Sequence, residues 1–161
     1  MFLKPTWQGV SLADFPPAML YEHGVRGALL DLDNTVMIPR AHIVPEHVQQ
    51  WLSEAAQLGM GCIIVTNNKK PDYMQRAQEI LALPVIGPAY KPSCKGLLAA
   101  TQQLGLAPHE VVVIGDRPLT DIWGGIRLGG KTLWLKNLTY QSDSVGIQVL
   151  RCLEAWTVQR G

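Results

Sequence analysis

The sequence predicts an α/β fold: a three-layer, doubly wound, Rossmann-like domain built around a parallel sheet of five strands. Three observations support this prediction. Short apolar runs alternate with stretches of helical periodicity, as expected of consecutive strand–helix–strand units with right-handed crossovers. The runs are continuous and rich in β-branched residues, which is typical of parallel strands buried on both faces. Polar residues follow the runs directly, at the sheet edge where open α/β folds place their sites.

Composition indicates one globular domain. The chain has 161 residues, of which 47% are hydrophobic and 17% charged, and its net charge is +1. Such a small charge does not favour nucleic acid as a partner. Cys62, Cys94 and Cys152 show neither a disulfide framework nor metal-ligand spacing, so we expect a reducing, cytoplasmic compartment. No apolar run approaches the roughly 20 residues of a membrane span, and no signal peptide is expected.

The elements follow in order along the chain. Residues 1–25 are expected to form an N-terminal lead with a short helix near residues 18–23. This lead is predicted to pack on the core and cover a sheet edge, with peripheral membrane contact as the alternative. Residues 26–161 are expected to form the single catalytic domain. Its strands are predicted at about residues 26–32, 62–65, 85–86, 111–114 and 132–135.

Helices are predicted between these strands because apolar residues recur there at helical spacing. Proline at the start and glycine at the end mark their limits. The predicted helices cover about residues 45–58, 71–81, 94–104 and 119–129, and a closing helix covers residues 144–158.

Four loops of this predicted sheet carry polar residues that suit one reaction. They contain Asp31-Leu32-Asp33-Asn34-Thr35 after the first strand, Thr66 and Asn67 after the second, Lys91 before the third helix, and Gly115, Asp116 and Asp121 after the fourth strand. Each residue alone has an ordinary explanation as a turn residue, a solvated lysine or a first-turn helix acid. Their joint occurrence, in order and at strand ends, indicates a common site.

The chemistry of these side chains points to phosphoryl transfer. Asp31 is the candidate nucleophile, because a carboxylate can attack phosphorus and divide a hard step into two. Asp33 is the candidate acid that protonates the leaving group and then activates water. Mg²⁺ suits an all-oxygen site, and its predicted ligands are Asp31, Asp116 and Asp33, the last through its backbone carbonyl.

The other polar residues are predicted to handle the charge of the transferred group. Thr66 and Asn67, with neighbouring N–H groups, are expected to hold phosphoryl oxygens. Lys91 would neutralise both Asp31 and the phosphate. Asp121 would be an outer metal ligand or would orient Lys91.

With these motifs, the chain resembles the haloacid dehalogenase superfamily of phosphatases over residues 26–135. Asp31 to Thr35 matches the first motif, Thr66 the second, Lys91 the third, and Gly115-Asp116 with Asp121 the fourth. Within the superfamily the chain is similar to the YqeG family, which includes phosphatidylglycerophosphate phosphatases of fungal mitochondria and plant plastids. The resemblance implies a Mg²⁺-dependent phosphomonoester hydrolase, with a role in phospholipid synthesis as the finer expectation. Residues 36–39 depart from the usual Asp-Asn-Thr-Leu pattern.

Short connections predict that the site has no cap domain. About 22 residues separate Asn68 from Lys91, enough for one helix and one short strand. An open site favours a bulky phosphorylated molecule or a lipid headgroup over an enclosed metabolite. Basic side chains either ring this site or are ordinary surface charges; they are Arg40, Lys69, Lys70, Lys95 and Arg117.

Other functions fit parts of the pattern. The same chemistry could act on a phosphoprotein, a nucleotide or a sugar phosphate. A receiver-like domain would need an acid after the third strand, where the chain has Val85-Ile86-Gly87-Pro88. A non-catalytic phosphate-binding scaffold would not need the intact pair Asp31 and Asp33. The sequence leaves the oligomeric state open.

Overall fold

The computed structural model describes residues 2–136, 150 and 152–158. The described strands are β1 Trp7–Gly9, β2 Gly27–Leu30, β3 Gly61–Val65, β4 Val85–Ile86, β5 Val111–Gly115 and β6 Lys131–Leu135. The described α-helices are α1 Pro17–Glu22, α2 Glu46–Gln57, α3 Pro71–Leu81, α4 Lys95–Gln103 and α5 Trp123–Leu128. Strands and helices alternate, as the doubly wound fold requires.

The sheet is parallel throughout, with strand order β1-β6-β5-β2-β3-β4. It contains six strands, so the predicted count of five is wrong. The additional strand is β1, which comes from the N-terminal lead and pairs Trp7 with Leu133 of β6. Thr6 and Thr132 extend this pairing, because the backbone N–H of each donates to the side chain of the other over 3.0 Å. A three-residue strand is too short to show any alternation in the sequence.

Helices cover both faces of the sheet and give the predicted three layers. On one face, Trp51 of α2 and Ala77 of α3 pack with Leu30 and Ile64. On the other face, Leu97 of α4 packs with the strand side chains that point to that face. Successive residues of a strand point to opposite faces, so a strand in the middle of the sheet must be apolar at every position. All four residues of β2 are indeed buried.

The ends of the chain meet beside the sheet. Leu3 pairs with Val158, and the Leu3 N–H donates to the carbonyl of Thr157 over 2.6 Å. Leu150 and residues 152–155 are helical, while residues 144–149 and 151 of the predicted closing helix lie outside the described residues. Within the described part of the chain, every helix is too short or too polar to cross a lipid bilayer.

Candidate active site

Adjacent strands deliver the predicted site residues to one edge of the sheet. Leu30 of β2 lies level with Ile64 of β3 and Ile114 of β5. The residues that follow these strands therefore leave the sheet side by side. They include Asp31 after β2, Thr66 after β3 and Asp116 after β5.

Lys91 reaches this edge from the loop between β4 and α4. Its ammonium Nζ lies 2.6 Å from Asp31 Oδ1 and 2.7 Å from Asp121 Oδ1. It also donates to the carbonyl of Val65, the last residue of β3, over 2.6 Å. The Lys91 side chain is only 2% exposed, so these oxygens replace the water that a lysine normally keeps. Such a buried cation is expected only where it is fully paired.

Asn67 fixes the backbone of Lys91. The Asn67 amide nitrogen donates to the Lys91 carbonyl over 2.9 Å, and the Lys91 N–H donates to the Asn67 carboxamide oxygen over 2.6 Å. These two bonds commit the Asn67 side chain to Lys91. Thr66 is 2% exposed, and its hydroxyl oxygen accepts the N–H of Asn68 over 3.1 Å, a bond that does not use the hydroxyl proton.

Three carboxylates gather around Lys91. Oxygens of Asp31, Asp116 and Asp121 lie within 4.8 Å of one another. The Asp33 side chain is not part of this cluster, and the predicted contact of its backbone carbonyl with the metal stays a prediction. The three carboxylates group around a single point, an arrangement that could hold a metal ion. Carboxylate oxygens are the ligands that Mg²⁺ prefers.

Burial and the neighbouring charges shift the pKa values of Asp31 and Lys91. Burial raises the pKa of Asp31 to about 8; Lys91 acts in the opposite direction, and Asp121 and Asp116 add to the rise. Burial by itself would lower the pKa of Lys91, but the carboxylates of Asp121 and Asp31 outweigh it and raise that pKa above its ordinary value. Lys91 is therefore an ammonium at neutral pH.

The structure shows why the residue before Asp116, Gly115, is a glycine. A Cβ at Gly115 would collide with the Asp121 carboxylate. Asp121 lies in a π-helical turn, Pro118–Ile122, and its Oδ2 accepts the N–H of Arg117 over 3.0 Å. The missing side chain thus lets this turn fold back over the end of β5 and bring Asp121 to Lys91.

Asp33 has its own partner on the other side of the site. The hydroxyl of Tyr73, in α3, donates to Asp33 Oδ1 over 2.5 Å. The ring of His42 lies against Tyr73, with centroids 5.1 Å apart. Burial raises the pKa of Tyr73 above its ordinary value, and the bond to Asp33 raises it further. Tyr73 therefore stays a hydrogen-bond donor throughout the neutral range.

An open pocket of about 550 Å³ lies over these groups. Its lining includes the acids Asp31, Asp33 and Asp116, the basic residues Arg40, Lys70 and Arg117, and His42, Asn68, Tyr73 and Leu150. Lys69 lines a neighbouring cavity, and Lys95 borders neither. The described connections hold no cap domain: residues 31–45 join β2 to α2, and α3 is the helix between β3 and β4.

The sequence missed three contacts at this site. No sequence pattern marked Tyr73 or His42, because Tyr73 bonds to Asp33 from a helix 40 residues further along the chain and His42 contacts the Tyr73 ring. Arg117 was predicted only as a rim charge, yet its guanidinium holds the buried Glu154 over 2.6 Å. No sequence pattern indicated that Glu154 is buried, because its neighbours Leu153 and Ala155 point to other faces of the helix and Leu153 is exposed.

Comparisons with known proteins agree with this geometry. Residues 2–139 match the family described as mitochondrial PGP phosphatase. The chain is 36% identical over 118 residues to the probable phosphatase YqeG of Bacillus subtilis, covering 73% of this chain and 67% of that protein. It is 28% identical over 145 residues to a chloroplastic phosphatidylglycerophosphate phosphatase 1 of Chlamydomonas reinhardtii, covering 85% of this chain and 54% of that protein. The chain thus spans about two thirds of the first relative and about half of the second.

A solved structure supports the fold. A Had-superfamily hydrolase from Ehrlichia chaffeensis superposes with a TM-score of 0.51 at 20% identity, covering 86% of this chain and 68% of that one. The predicted fold class is confirmed, apart from the strand count. Family match and relatives lead to one conclusion: this chain is a phosphatase of the mitochondrial PGP phosphatase family, related to YqeG, with the fold of a Had-superfamily hydrolase.

Proposed function

We propose that the chain hydrolyses an exposed phosphate monoester through an aspartyl-phosphate on Asp31, and that its substrate is a phosphatidylglycerophosphate-like lipid. The observation that carries the proposal is the buried ammonium of Lys91, which contacts both Asp31 and Asp121 while Asp116 lies beside them. A purely structural ion pair would not need a third carboxylate. Its acids would also not need to line an open pocket, as Asp31 and Asp116 do.

The proposed reaction has two steps. Asp31 attacks phosphorus, the bond from phosphorus to the ester oxygen breaks, and Asp33 gives its proton to the departing alkoxide. A water molecule then gives a proton to Asp33 and attacks the phosphorus of the aspartyl-phosphate. The bond from phosphorus to the Asp31 oxygen breaks, which restores the carboxylate and releases inorganic phosphate. Lys91, Thr66 and loop N–H groups offset the charge of the transferred group.

The residues present fit a bound Mg²⁺. Asp31 and Asp116 would hold it, with Asp121 close enough to contribute directly or through water. The close grouping of the three carboxylates, whose oxygens lie within 4.8 Å of one another, supports this assignment. When bound, Mg²⁺ would offset the charge of the phosphoryl oxygens and of the attacking carboxylate.

Metal binding is expected to stabilise the protein more as pH rises. Asp31 has a pKa of about 8 in the folded protein and an ordinary value of 3.8. Protonation of Asp31 therefore stabilises the metal-free folded state relative to the unfolded chain. That contribution is complete below the ordinary value and is lost as pH rises through about 8. Mg²⁺ needs the deprotonated carboxylate. Thermal unfolding with MgCl₂ and with EDTA should therefore show a larger gain in Tm at about pH 8 than at about pH 5.

The matched control is Asp116→Asn, which keeps the shape of the cluster but removes one proposed metal ligand. This variant should lose most of the gain at about pH 8. Equal gains at the two pH values, or a full gain in the variant, would contradict the metal assignment.

The pocket supports a lipid phosphate as substrate. It is open, because the described connections add no cap. Two exposed cationic side chains, Arg40 and Lys70, line it together with the acids. They could offset a second negative group near the reacting phosphate, such as the phosphodiester of a phospholipid. The name of the chloroplastic relative gives the same substrate class.

A substrate panel tests this choice. Phosphatidylglycerophosphate in mixed micelles, a nucleoside monophosphate, a sugar phosphate and a phosphopeptide should be compared by kcat/KM with Mg²⁺ present. We expect the lipid to be preferred by at least about tenfold, equivalent to about 1.4 kcal/mol of transition-state binding. A higher kcat/KM on any other class would replace the lipid as the proposed substrate.

Charge reversal at Lys70 should weaken substrate binding more than chemistry. Lys70→Glu puts a carboxylate at the pocket wall, where it repels an anionic substrate in both the ground and the transition state. We expect KM for the lipid to rise about 5- to 10-fold with a smaller fall in kcat. Lys95→Glu is the control, since exposed Lys95 does not line the pocket. An unchanged KM in Lys70→Glu would remove Lys70 from the binding site.

Cytoplasmic location with peripheral membrane contact is the proposed setting. All three cysteines are free thiols, which fits a reducing compartment. Among the apolar residues of the N-terminal lead, Leu12 and Leu20 are buried in the core, so they are committed to packing. Phe2 is 73% exposed and is the side chain of the lead best placed for membrane contact.

A further inference from the structure

We infer that Tyr73 is a positioning residue that aims the carboxyl group of Asp33 at the leaving group. The inference rests on the proposed function, in which Asp33 is the acid and then the base. It assigns a role to a residue outside the four sequence motifs, and it explains how an open site without a cap holds its acid in place.

The contact that carries the inference joins two distant segments. Tyr73 lies in the first turn of α3, 40 residues after Asp33, and its hydroxyl donates to Asp33 Oδ1. Both side chains line the same pocket as Asp31. Because Tyr73 occupies Oδ1, the other oxygen, Oδ2, is the one left to face the reacting phosphate and carry the transferable proton. A phenol can donate to Oδ1 whether Oδ2 is protonated or not.

The surroundings of Tyr73 are built to hold its ring. His42 packs against it, with the two planes tilted by 49°. His42 lies near the tip of a hairpin closed by the pairing of Ile38 with Ile43. Its backbone φ of 53° is in the left-handed region, as is the φ of 64° at Arg40. Non-glycine residues rarely adopt this conformation, and it persists where surrounding contacts impose it.

Without the tyrosine, the Asp33 side chain could rotate away from the substrate. Asp33 lies beyond the end of β2, just before Asn34, whose φ of 62° turns the chain. A misplaced acid should matter most when the leaving group needs a proton. An alkoxide needs one, whereas a nitrophenolate leaves readily without it. The role of Tyr73 therefore predicts a loss that depends on the leaving group.

The test compares Tyr73→Phe with the unaltered protein on two substrates in the presence of Mg²⁺. Phenylalanine keeps the ring against His42 and removes only the hydroxyl. We expect kcat for glycerol phosphate, an alkyl ester, to fall about 10- to 100-fold with little change in KM. The value for p-nitrophenyl phosphate should fall less than about threefold. Tyr90→Phe, at a tyrosine that is 61% exposed, should leave both values unchanged.

A double variant separates positioning from general damage. If Tyr73 acts through Asp33, adding Tyr73→Phe to Asp33→Asn should cause no further loss on glycerol phosphate. Equal losses of Tyr73→Phe on both substrates, no loss on either, or an additive double variant would overturn the inference while leaving the proposed function intact. Should Asp33→Asn itself show no dependence on the leaving group, the proposed acid role of Asp33 fails, and the role of Tyr73 fails with it.

Discussion

Asp31→Asn should lower turnover of p-nitrophenyl phosphate with Mg²⁺ by at least about 10⁴-fold, the scale at which loss of a catalytic nucleophile is felt. A carboxamide is a far weaker nucleophile than a carboxylate, and it cannot balance the ammonium of Lys91 that lies 2.6 Å away. The variant should also fail to form the covalent intermediate. Labelled substrate, quenched during turnover, should leave hydroxylamine-sensitive phosphate on the unaltered protein and none on Asp31→Asn.

Asp72→Asn is the matched control for this loss. Asp72 is an exposed acid in the first turn of α3, and it lines the cavity next to the active-site pocket. It should keep activity within about twofold, because it contributes at most a modest helix-dipole interaction. Full activity in Asp31→Asn, or label that persists on it, would end the assignment of Asp31 as the nucleophile.

The parts of the fold that the sequence predicted well are those whose limits are marked by glycine or proline. β4 and α3 have the bounds that the sequence predicted, Val85–Ile86 and Pro71–Leu81. For α3 the reason is local, because Pro71 presets the first helical turn. β1 was missed because its pairing depends on β6, more than a hundred residues away, and its three residues carry no period of their own.

The candidate site divides in the same way. Asp31 and Asp116 leave adjacent parallel strands, so the fold class alone brings them together. Lys91 comes from a loop and Asp121 from the π-helical turn after β5, yet both reach the same cluster. Their roles were argued from chemistry, and that chemistry requires the proximity that the structure has.

Contacts made by loop conformation could not be predicted. The contact between the rings of His42 and Tyr73 comes from a hairpin at residues 38–43 whose backbone follows a path that few non-glycine residues take. Asn67 was predicted to hold phosphate because it follows Thr66. Its side chain instead binds the Lys91 backbone, a partner 24 residues away that local sequence does not indicate. That Asn67 also donates its N–H to phosphate stays a prediction.

Lys91→Met should both inactivate and destabilise the metal-free protein. Methionine fills a similar volume but removes the ammonium, so the carboxylates of Asp31 and Asp121 lose their shared counter-charge. Removing one partner of a buried ion pair costs about 3–5 kcal/mol. We expect a loss of this order in the free energy of urea unfolding, measured with EDTA at about pH 8. Activity should fall at least about 10²-fold, because Lys91 also offsets charge in the transition state.

The pH dependence of the Lys91→Met loss distinguishes an electrostatic cause from a packing defect. In the unaltered protein Lys91 has a raised pKa, so Lys91 itself stays an ammonium and does not titrate between about pH 5 and about pH 8. In the variant, the buried carboxylates can take up protons at the lower pH, which relieves their repulsion. The loss of stability should therefore shrink at about pH 5.

Lys131→Met provides the comparison, because its ammonium binds the carbonyl of His109 and has no carboxylate partner among the residues that the structure describes. This control should lose less than about 1 kcal/mol at either pH. A Lys91→Met loss that is equal at both pH values would mean that Lys91 stabilises the fold through packing. The three carboxylates would then not need the Lys91 ammonium for charge balance, which would weaken the metal assignment.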